Sequence, residues 1–544
     1  MKIFLHINRL KPIFYHWLMT LAIALVFPTL TWAYPSKNTE HPLVKVFFES
    51  QQQKQQLLSM IAPWEIDSNS ILVNPSSEQL ETLKNAGFQT QILYHNRAEL
   101  FPNKRAAQPE DAGAFHTYTE LKSTLQQLQA DYPNLAAIHD IGDSWEKTQG
   151  VADRDILALK ITTNANTSNK NKRALFLGGH HAREWISIEV PLNLAQYLLQ
   201  NYASDSKLQS LLANGEIWIV PMVNPDGHQY SVDSDRWWRK SRRKNPDGSY
   251  GVDLNRNYAY QWSVSGSSPD PSSNTYHGIS AFSEPESQAI RDLANNYHFN
   301  TMISYHSYGE QVFYPWNYEE SQLLEVVLLE KLALDMGKLI TEASGKHYEI
   351  AQAAYDYLAS GTTDDWFYAQ FGTMSYTIEL PPNGHPYFEL NEADIQPSFN
   401  ENLPAALALI EWSQLANPAA QIEINAEKNL NKINENSELS LSIGMQAGNR
   451  SNIMADWWLY ADSPAGTYFY NAATGAWQPG LQLSYQGKTV DINLTEVLKS
   501  NSLPQGNYII YFGLETHADG LMDKEILFLE QYPFSIIPNT NTAK

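Results

Sequence analysis

The stretch Gly178-Gly179-His180-His181-Ala182-Arg183-Glu184-Trp185 follows an apolar run at 174–177 and precedes a helical pattern, so it marks a strand turning into a helix. His181 and Glu184 stand three residues apart at that turn and form a two-ligand metal clip. Imidazole nitrogen and carboxylate oxygen both suit zinc, and a catalytic zinc takes three protein ligands while leaving a fourth position to water. The third ligand has to come from elsewhere in the chain. A His-x-x-Glu match arises by chance about once in a chain of this length, so the clip needs the remaining sequence to give it meaning.

Outward from the clip, apolar strands are expected at 156–161, 217–220, 301–305 and 374–380, alternating with helices at 184–202, 284–293 and 324–343. The alternation predicts an α/β fold with a mixed, largely parallel sheet and helices on both faces. Leu121, Leu125 and Leu128, at i, i+4 and i+7, open this unit with a helix, and its last helix is expected to end near residue 416. Upstream, 43–94 reads as a small α+β sandwich. It has a strand at 43–48, a Gln-rich helix at 51–61, strand pieces around Trp64 and 71–73, a helix at 77–85 and a strand after Gly87. Downstream of Asn417-Pro418, short alternating runs at 439–443, 457–460, 468–470 and 508–512 predict a β-sandwich. Glu515 and the turn Asp519-Gly520-Leu521-Met522-Asp523 read either as an acidic turn or as a calcium site.

The chain has 544 residues, 43% of them hydrophobic, enough for several domains with substantial cores. Residues 1–33 carry Lys2, Arg9 and Lys11, an apolar run, and the ending Thr31-Trp32-Ala33, the pattern of a signal peptide cleaved after Ala33. Read as an uncleaved anchor instead, the segment would be interrupted by His16 and Pro28. With no cysteine there is no disulfide framework, thiolate metal site or cysteine nucleophile. A formal charge of -22 argues against nucleic acid as a partner and favours cationic peptides. The polar stretch 103–109 contains Lys104-Arg105, a dibasic pair that reads as a protease site or as an ordinary solvated linker.

Further motifs follow the clip in order: Asn224-Pro225-Asp226-Gly227, the segment Arg236-Trp237-Trp238-Arg239-Lys240, and Asp253-Leu254-Asn255-Arg256-Asn257. After them come Tyr305-His306-Ser307-Tyr308, then Tyr357 with Ser360-Gly361 and Asp364-Asp365-Trp366, and last Tyr376-Thr377-Ile378-Glu379-Leu380. Taken together they resemble the zinc metallocarboxypeptidases of the A/B type, over roughly residues 115–416. With the activation-like and catalytic domains that the resemblance implies, the expected organisation is 1–33 signal peptide, 34–102 activation-like α+β prodomain, 103–114 linker, 115–416 catalytic domain and 417–544 C-terminal β-sandwich.

By the same resemblance His181, Glu184 and His306 bind one zinc per chain, and Asp253 is the carboxylate that orients a ligating imidazole. Taken alone, His306 reads rather as a hydrogen-bonded core histidine; the accompanying motifs reverse that reading. Glu379, a carboxylate in an otherwise apolar strand, matches the general base, and Arg239 matches the cation that steadies the oxyanion. Asn255 and Arg256 match a clamp for a free terminal carboxylate, Tyr357 a closing tyrosine, and Arg183 an accessory subsite arginine. Arg236 and Lys240 read as solvated surface charges, and the Ser307-Tyr308 peptide bond is expected to be cis.

The resemblance also implies that Asp364 falls at the closed end of the specificity pocket, where a carboxylate favours terminal Lys or Arg; Gln352 and Leu358 depart from the basic-specific pattern and leave dual specificity open. The implied function is an exported enzyme, periplasmic or secreted, that hydrolyses the last peptide bond of substrates with a free C-terminus. A protease would activate it, and no stable membrane insertion would remain after signal removal. The alternatives are a cell-wall peptide hydrolase on the same fold, which would lack the Asn255, Arg256 and Tyr357 set, and a non-catalytic binding module, which would lack Glu379 or a ligand.

Overall fold

The protein is described from a computed structural model, which covers residues 42–539 apart from 62–64, 68, 74, 96–112, 321–326, 382–391, 416–417, 428–429, 517, 519 and 523–526. The signal-peptide reading, the dibasic pair, the Trp64 strand piece, Asp519 and Asp523 therefore lie outside the described residues. Among those described, no helix is long and apolar enough to cross a membrane.

The first unit contains β1 (Leu43–Phe47), β2 (Glu65–Asp67), β3 (Ser70–Val73) and β4 (Gln89–Tyr94), joined antiparallel in the order β2-β3-β1-β4. Two helices, Gln51–Met60 and Ser77–Asn85, cover the sheet. Ser50 and Ser76 cap their first turns, and Gln79 closes a capping box on Ser76. Val44, Val46, Leu57, Ile71, Leu80 and Leu83 form the core between the two layers.

The central sheet has eight strands: β5 (Ala136–Asp143), β6 (Asp155–Ile161), β7 (Arg173–Leu177), β8 (Glu216–Val220), β9 (Thr301–Ser307), β10 (Gln311–Tyr314), β11 (Glu349–Gln352) and β12 (Met374–Leu380). Their order is β11-β10-β12-β9-β7-β8-β6-β5. β12, β9, β7 and β8 run parallel in the middle, and β10, β6 and β5 add antiparallel pairs towards the edges. Alternate residues feed two separate cores. Ala174, Phe176, Ile217 and Ile219 join one with helices Tyr118–Asp131, Ile186–Asn201, Val327–Ser344 and Ile395–Ser413; Leu175, Leu177, Trp218 and Val220 join the other with helices Pro285–Tyr297 and Thr363–Phe371. Helices on both faces explain why the central strands are continuous apolar runs.

Residues 419–537 hold two further sheets. Ala419–Ile424, Leu439–Gln446 and Ile492–Ser500 form one; Met454–Ser463, Gly506–Glu515 and Leu527–Ile537 carry the middle of the other. Ile422, Ile443, Leu459, Ile510 and Phe512 pack between them. This unit is docked on the central one: Ile453 joins the central core, and the Arg450 guanidinium lies over the Trp412 ring at 5.3 Å. Glu515 is buried and pairs across the sheet with Asp456.

Candidate active site

Three neighbouring parallel strands, β12, β9 and β7, deliver the chemistry at their carboxyl ends, where open α/β sheets form their crevices. Glu379 lies beside His306 in the register of β12 against β9, so the two residues share a face. After β7 the chain must turn within a few residues. Gly179 adopts φ +65, and a Cβ on Gly178 would collide with the backbone oxygens of Ser187 and Pro221. The Ser187 hydroxyl donates to Glu184 O at 2.6 Å and accepts from Gly179 N at 3.1 Å, which holds Glu184 in the turn and delays the helix to Ile186. Asn224 ties two site loops together, donating from Nδ2 to the carbonyls of His180 and Lys240 at 3.1 Å each.

His181, Glu184 and His306 converge with all three side chains buried. His181 Nδ1 lies 2.8 Å from Glu184 Oε1, His306 Nδ1 lies 3.0 Å from Glu184 Oε2, and the two Nδ1 atoms are 3.1 Å apart. Metal–ligand bonds of about 2.0–2.2 Å at tetrahedral angles put neighbouring ligand atoms about 3.3–3.6 Å apart, so these donors need to part by only about half an ångström to hold zinc. The far ring nitrogens are engaged: His181 Nε2 with Asp253 Oδ1 at 3.1 Å and His306 Nε2 with Ser304 Oγ at 3.0 Å. That leaves each Nδ1 for the metal and fixes the ring planes. Burial alone would push the Asp253 carboxyl up, but the Arg239 guanidinium and His181 hold it well below the usual carboxylate range. A second acidic group among the described residues, Asp140, Asp143 and Asp155, offers no imidazole and is engaged by lysines, with Lys147 2.9 Å from Asp143 and Lys122 2.8 Å from Asp155.

Arg239 is anchored through Nη2 and Nε on Asp253 Oδ2, at 2.9 and 3.2 Å. Its Nη1 is thereby aimed at the donor set, 3.2 Å from His181 Nδ1 and 3.6 Å from Glu184 Oε1. A cavity of about 690 Å³ opens here, and Arg183, Asn255, Arg256, Tyr357 and Glu379 line it together with the three candidate ligands. Asn255 Oδ1 accepts from Thr363 N at 2.9 Å and from Thr363 Oγ1 at 2.8 Å, which reserves its amide hydrogens for the cavity. Arg256 is held by Nε on Gly266 O at 3.0 Å and by Nη1 on Asn255 O at 2.8 Å. Enclosure, then the neighbouring Glu184 carboxylate, push the Glu379 carboxyl well above its usual range, against the pull of Arg239.

Asp364 is buried beside the cavity and does not line it; Asn317 and Thr377 stand in front and donate to its Oδ2 at 3.0 and 3.2 Å. Asp364 Oδ1 has no hydrogen-bond partner among the described residues. Leu358 lines the cavity, whereas Gln352 is turned away and donates to Pro315 O at 3.2 Å. Two expectations are corrected. Lys240 is buried, with Nζ on Pro271 O at 2.6 Å and its pKa lowered to about 8 by that burial. Arg236 donates to Arg183 O at 2.8 Å and stacks 4.0 Å over Trp185. Neither is a solvated surface charge, because the loop that carries Arg239 folds inward against the sheet. The Ser307–Tyr308 peptide bond is cis, and so is Pro315–Trp316. Ser304, Thr363 and Asn317 escape a sequence reading, since isolated small polar residues carry no spacing signal.

A family model described as "Zinc carboxypeptidase" matches residues 121–405, just over half of the chain. Carboxypeptidase B of Astacus astacus is 33% identical over 299 residues, covering 54% of this chain and 94% of the relative. Zinc carboxypeptidase A 1 of Anopheles gambiae is 30% identical over 364 residues, covering 64% and 81%. Among solved structures, the carboxypeptidase A from Helicoverpa armigera superposes with a TM-score of 0.59 at 24% identity, covering 69% of this chain and 98% of the other, a likeness of fold. The ligand chemistry, the parallel-strand crevice and these matches agree: the chain belongs to the zinc carboxypeptidase family and is a zinc-dependent hydrolase of peptide bonds.

Proposed function

We propose that this enzyme removes the C-terminal residue of peptides, with His181, Glu184 and His306 holding the zinc and Glu379 and Arg239 performing the chemistry around it. Zinc, when bound, supplies a polarised water and a Lewis acid for the scissile carbonyl. Glu379 takes a proton from the attacking water and passes it to the departing amine, while Arg239 Nη1 donates to the oxygen that gains charge. Asp253 acts through others, since it orients both His181 and Arg239.

The observation that carries the exopeptidase reading is that Asn255 and Arg256 share the cavity with the donor set. We assign them the terminal carboxylate, with Tyr357 closing over the bound residue and Arg183 serving an outer subsite. Amidating the C-terminus of a peptide is then expected to lower kcat/KM by about a hundredfold or more, because charge-assisted bonds are lost. Release of free amino acids from matched acid and amide peptides, with and without chelator, checks this. Equal rates for the two would return the enzyme to an endopeptidase reading.

Asp364 supports a preference for terminal Lys or Arg, because this buried carboxylate holds the Asn317 amide and the Thr377 hydroxyl in the cavity wall that a terminal side chain meets. In Asp364→Ile the ratio of kcat/KM for basic over aliphatic termini is expected to fall about tenfold. An unchanged ratio would remove Asp364 from specificity.

We further assign residues 34–102 to an activation segment of a secreted or periplasmic zymogen. Leu58, Met60, Ile61 and Gln79 line the same cavity as the ligands, and Lys54 lies 3.7 Å from Asp356, next to Tyr357. Cleavage at Lys104-Arg105 is expected to raise peptide turnover about tenfold, the effect of losing only 1.4 kcal/mol of blocking contact. Amino-terminal sequencing should give Tyr34 before activation and a start beyond Arg105 after it; equal rates for the two forms would argue against the assignment.

A further inference from the structure

Asn317 stands between the Asp364 carboxylate and the cleft. Its backbone N lies 3.0 Å from each oxygen of Asp365, and its Nδ2 donates to Asp365 Oδ1 at 2.7 Å and to Asp364 Oδ2 at 3.0 Å. An amide nitrogen carries two hydrogens, so both are committed to the paired acids. What the side chain offers the cleft is its carbonyl oxygen, which no donor among the described residues reaches. Thr377 spends its hydroxyl hydrogen on Asp364 Oδ2 and likewise turns a lone pair outward. Thr362 Oγ1, also on the cleft wall, is buried with no hydrogen-bond partner among the described residues. Asn317, Thr362 and Thr377 line the cavity; the charged residue behind them does not.

We propose that Asn317 determines specificity by screening Asp364, so that the wall met by the terminal side chain is neutral and rich in acceptors. The substrates it selects are peptides whose last side chain carries N–H donors, charged or neutral, with little added preference for the charge itself. This rests on the exopeptidase reading and narrows it. A terminal Arg donates to Asn317 Oδ1 and Thr362 Oγ1 without reaching the carboxylate, and a neutral group of the same shape makes the same bonds.

The test compares peptides that differ only in a terminal arginine, citrulline or leucine; citrulline replaces the guanidinium with a neutral urea that keeps N–H donors. For the native enzyme kcat/KM for arginine is expected within about tenfold of that for citrulline, with both well above leucine, because a lost donor costs more than a lost charge at a neutral wall. Asn317→Ser, checked for folding by its melting temperature, uncovers Asp364 and is expected to raise the arginine-to-citrulline ratio at least about tenfold, and adding Asp364→Asn should cancel the rise. A native ratio of about a hundredfold or more would overturn the screening while leaving the basic preference standing. So would an unchanged ratio in folded Asn317→Ser. If that variant does not fold, the native ratio decides alone. Leucine released as fast as arginine and citrulline would overturn the donor class yet keep the exopeptidase, whereas no release from any free terminus would remove the exopeptidase reading itself.

Discussion

Replacing Glu379 with Gln is expected to lower kcat by about a thousandfold while zinc content and melting temperature stay at native values, since only the capacity to take a proton is removed. The geometry makes this a clean substitution. Glu379 is held by the strand register of β12 against β9, beside His306, and no protein donor among the described residues depends on its charge as an anchor. A glutamine fills the same space, and Arg239 remains fixed by Asp253. Steady-state turnover of one good peptide, together with metal analysis of the same preparation, measures both halves of the expectation. Turnover within tenfold of native would mean that another group moves the proton.

The second large effect is on stability. His306→Ala is expected to abolish turnover and to make melting indifferent to zinc. In the native protein, zinc at about a thousandfold over its Kd stabilises by about 4 kcal/mol. The reason lies in the cluster itself: two imidazoles and a carboxylate are buried within about 3 Å of one another, an arrangement that a cation relieves. Removing one imidazole leaves two ligands, too few for a closed tetrahedral set. Differential scanning of native and variant protein, with chelator and with added zinc, checks the claim. A variant that still gains several degrees on adding zinc would show that His306 is not a ligand.

Much of the architecture was legible because of where it is buried. β7, β8, β9 and β12 are covered by helices on both faces, so they had to be apolar runs, and they read as such. β5, β10 and β11 passed unread. β11 is a short, partly buried strand at the sheet edge, and β5, at the other edge, breaks its apolar start with His139, Asp140 and Gly142, so neither shows a regular apolar pattern. The helix expected from residue 184 begins at Ile186, because the Ser187 hydroxyl bonds Glu184 O and Gly179 N and tightens the turn. In the C-terminal sheets the strands Leu439–Gln446, Met454–Ser463, Gly466–Asn471 and Gly506–Glu515 were visible in part, whereas Leu527–Ile537 and Ile492–Ser500, the latter with exposed polar residues, were not. Lys240 shows the opposite failure. A lysine among arginines and tryptophans reads as surface, yet a single backbone carbonyl, Pro271 O, gives it a buried place.

The sequence by itself pointed to the family and supplied the candidate metal-ligand types and the spacing of the first two. Ligand chemistry belongs to side-chain types, and a strand-to-helix turn converts a three-residue spacing into a shared direction. It also put a carboxylate into the apolar strand β12, a costly placement that marks chemistry. Only the tertiary structure decided that β7, β9 and β12 lie side by side so that their ends meet. Only it showed that Asn317, 47 residues before Asp364, reaches across to cover the carboxylate. Strand order and loop paths arise from packing among distant segments, and no local pattern of residues encodes which amide will stand in front of which acid.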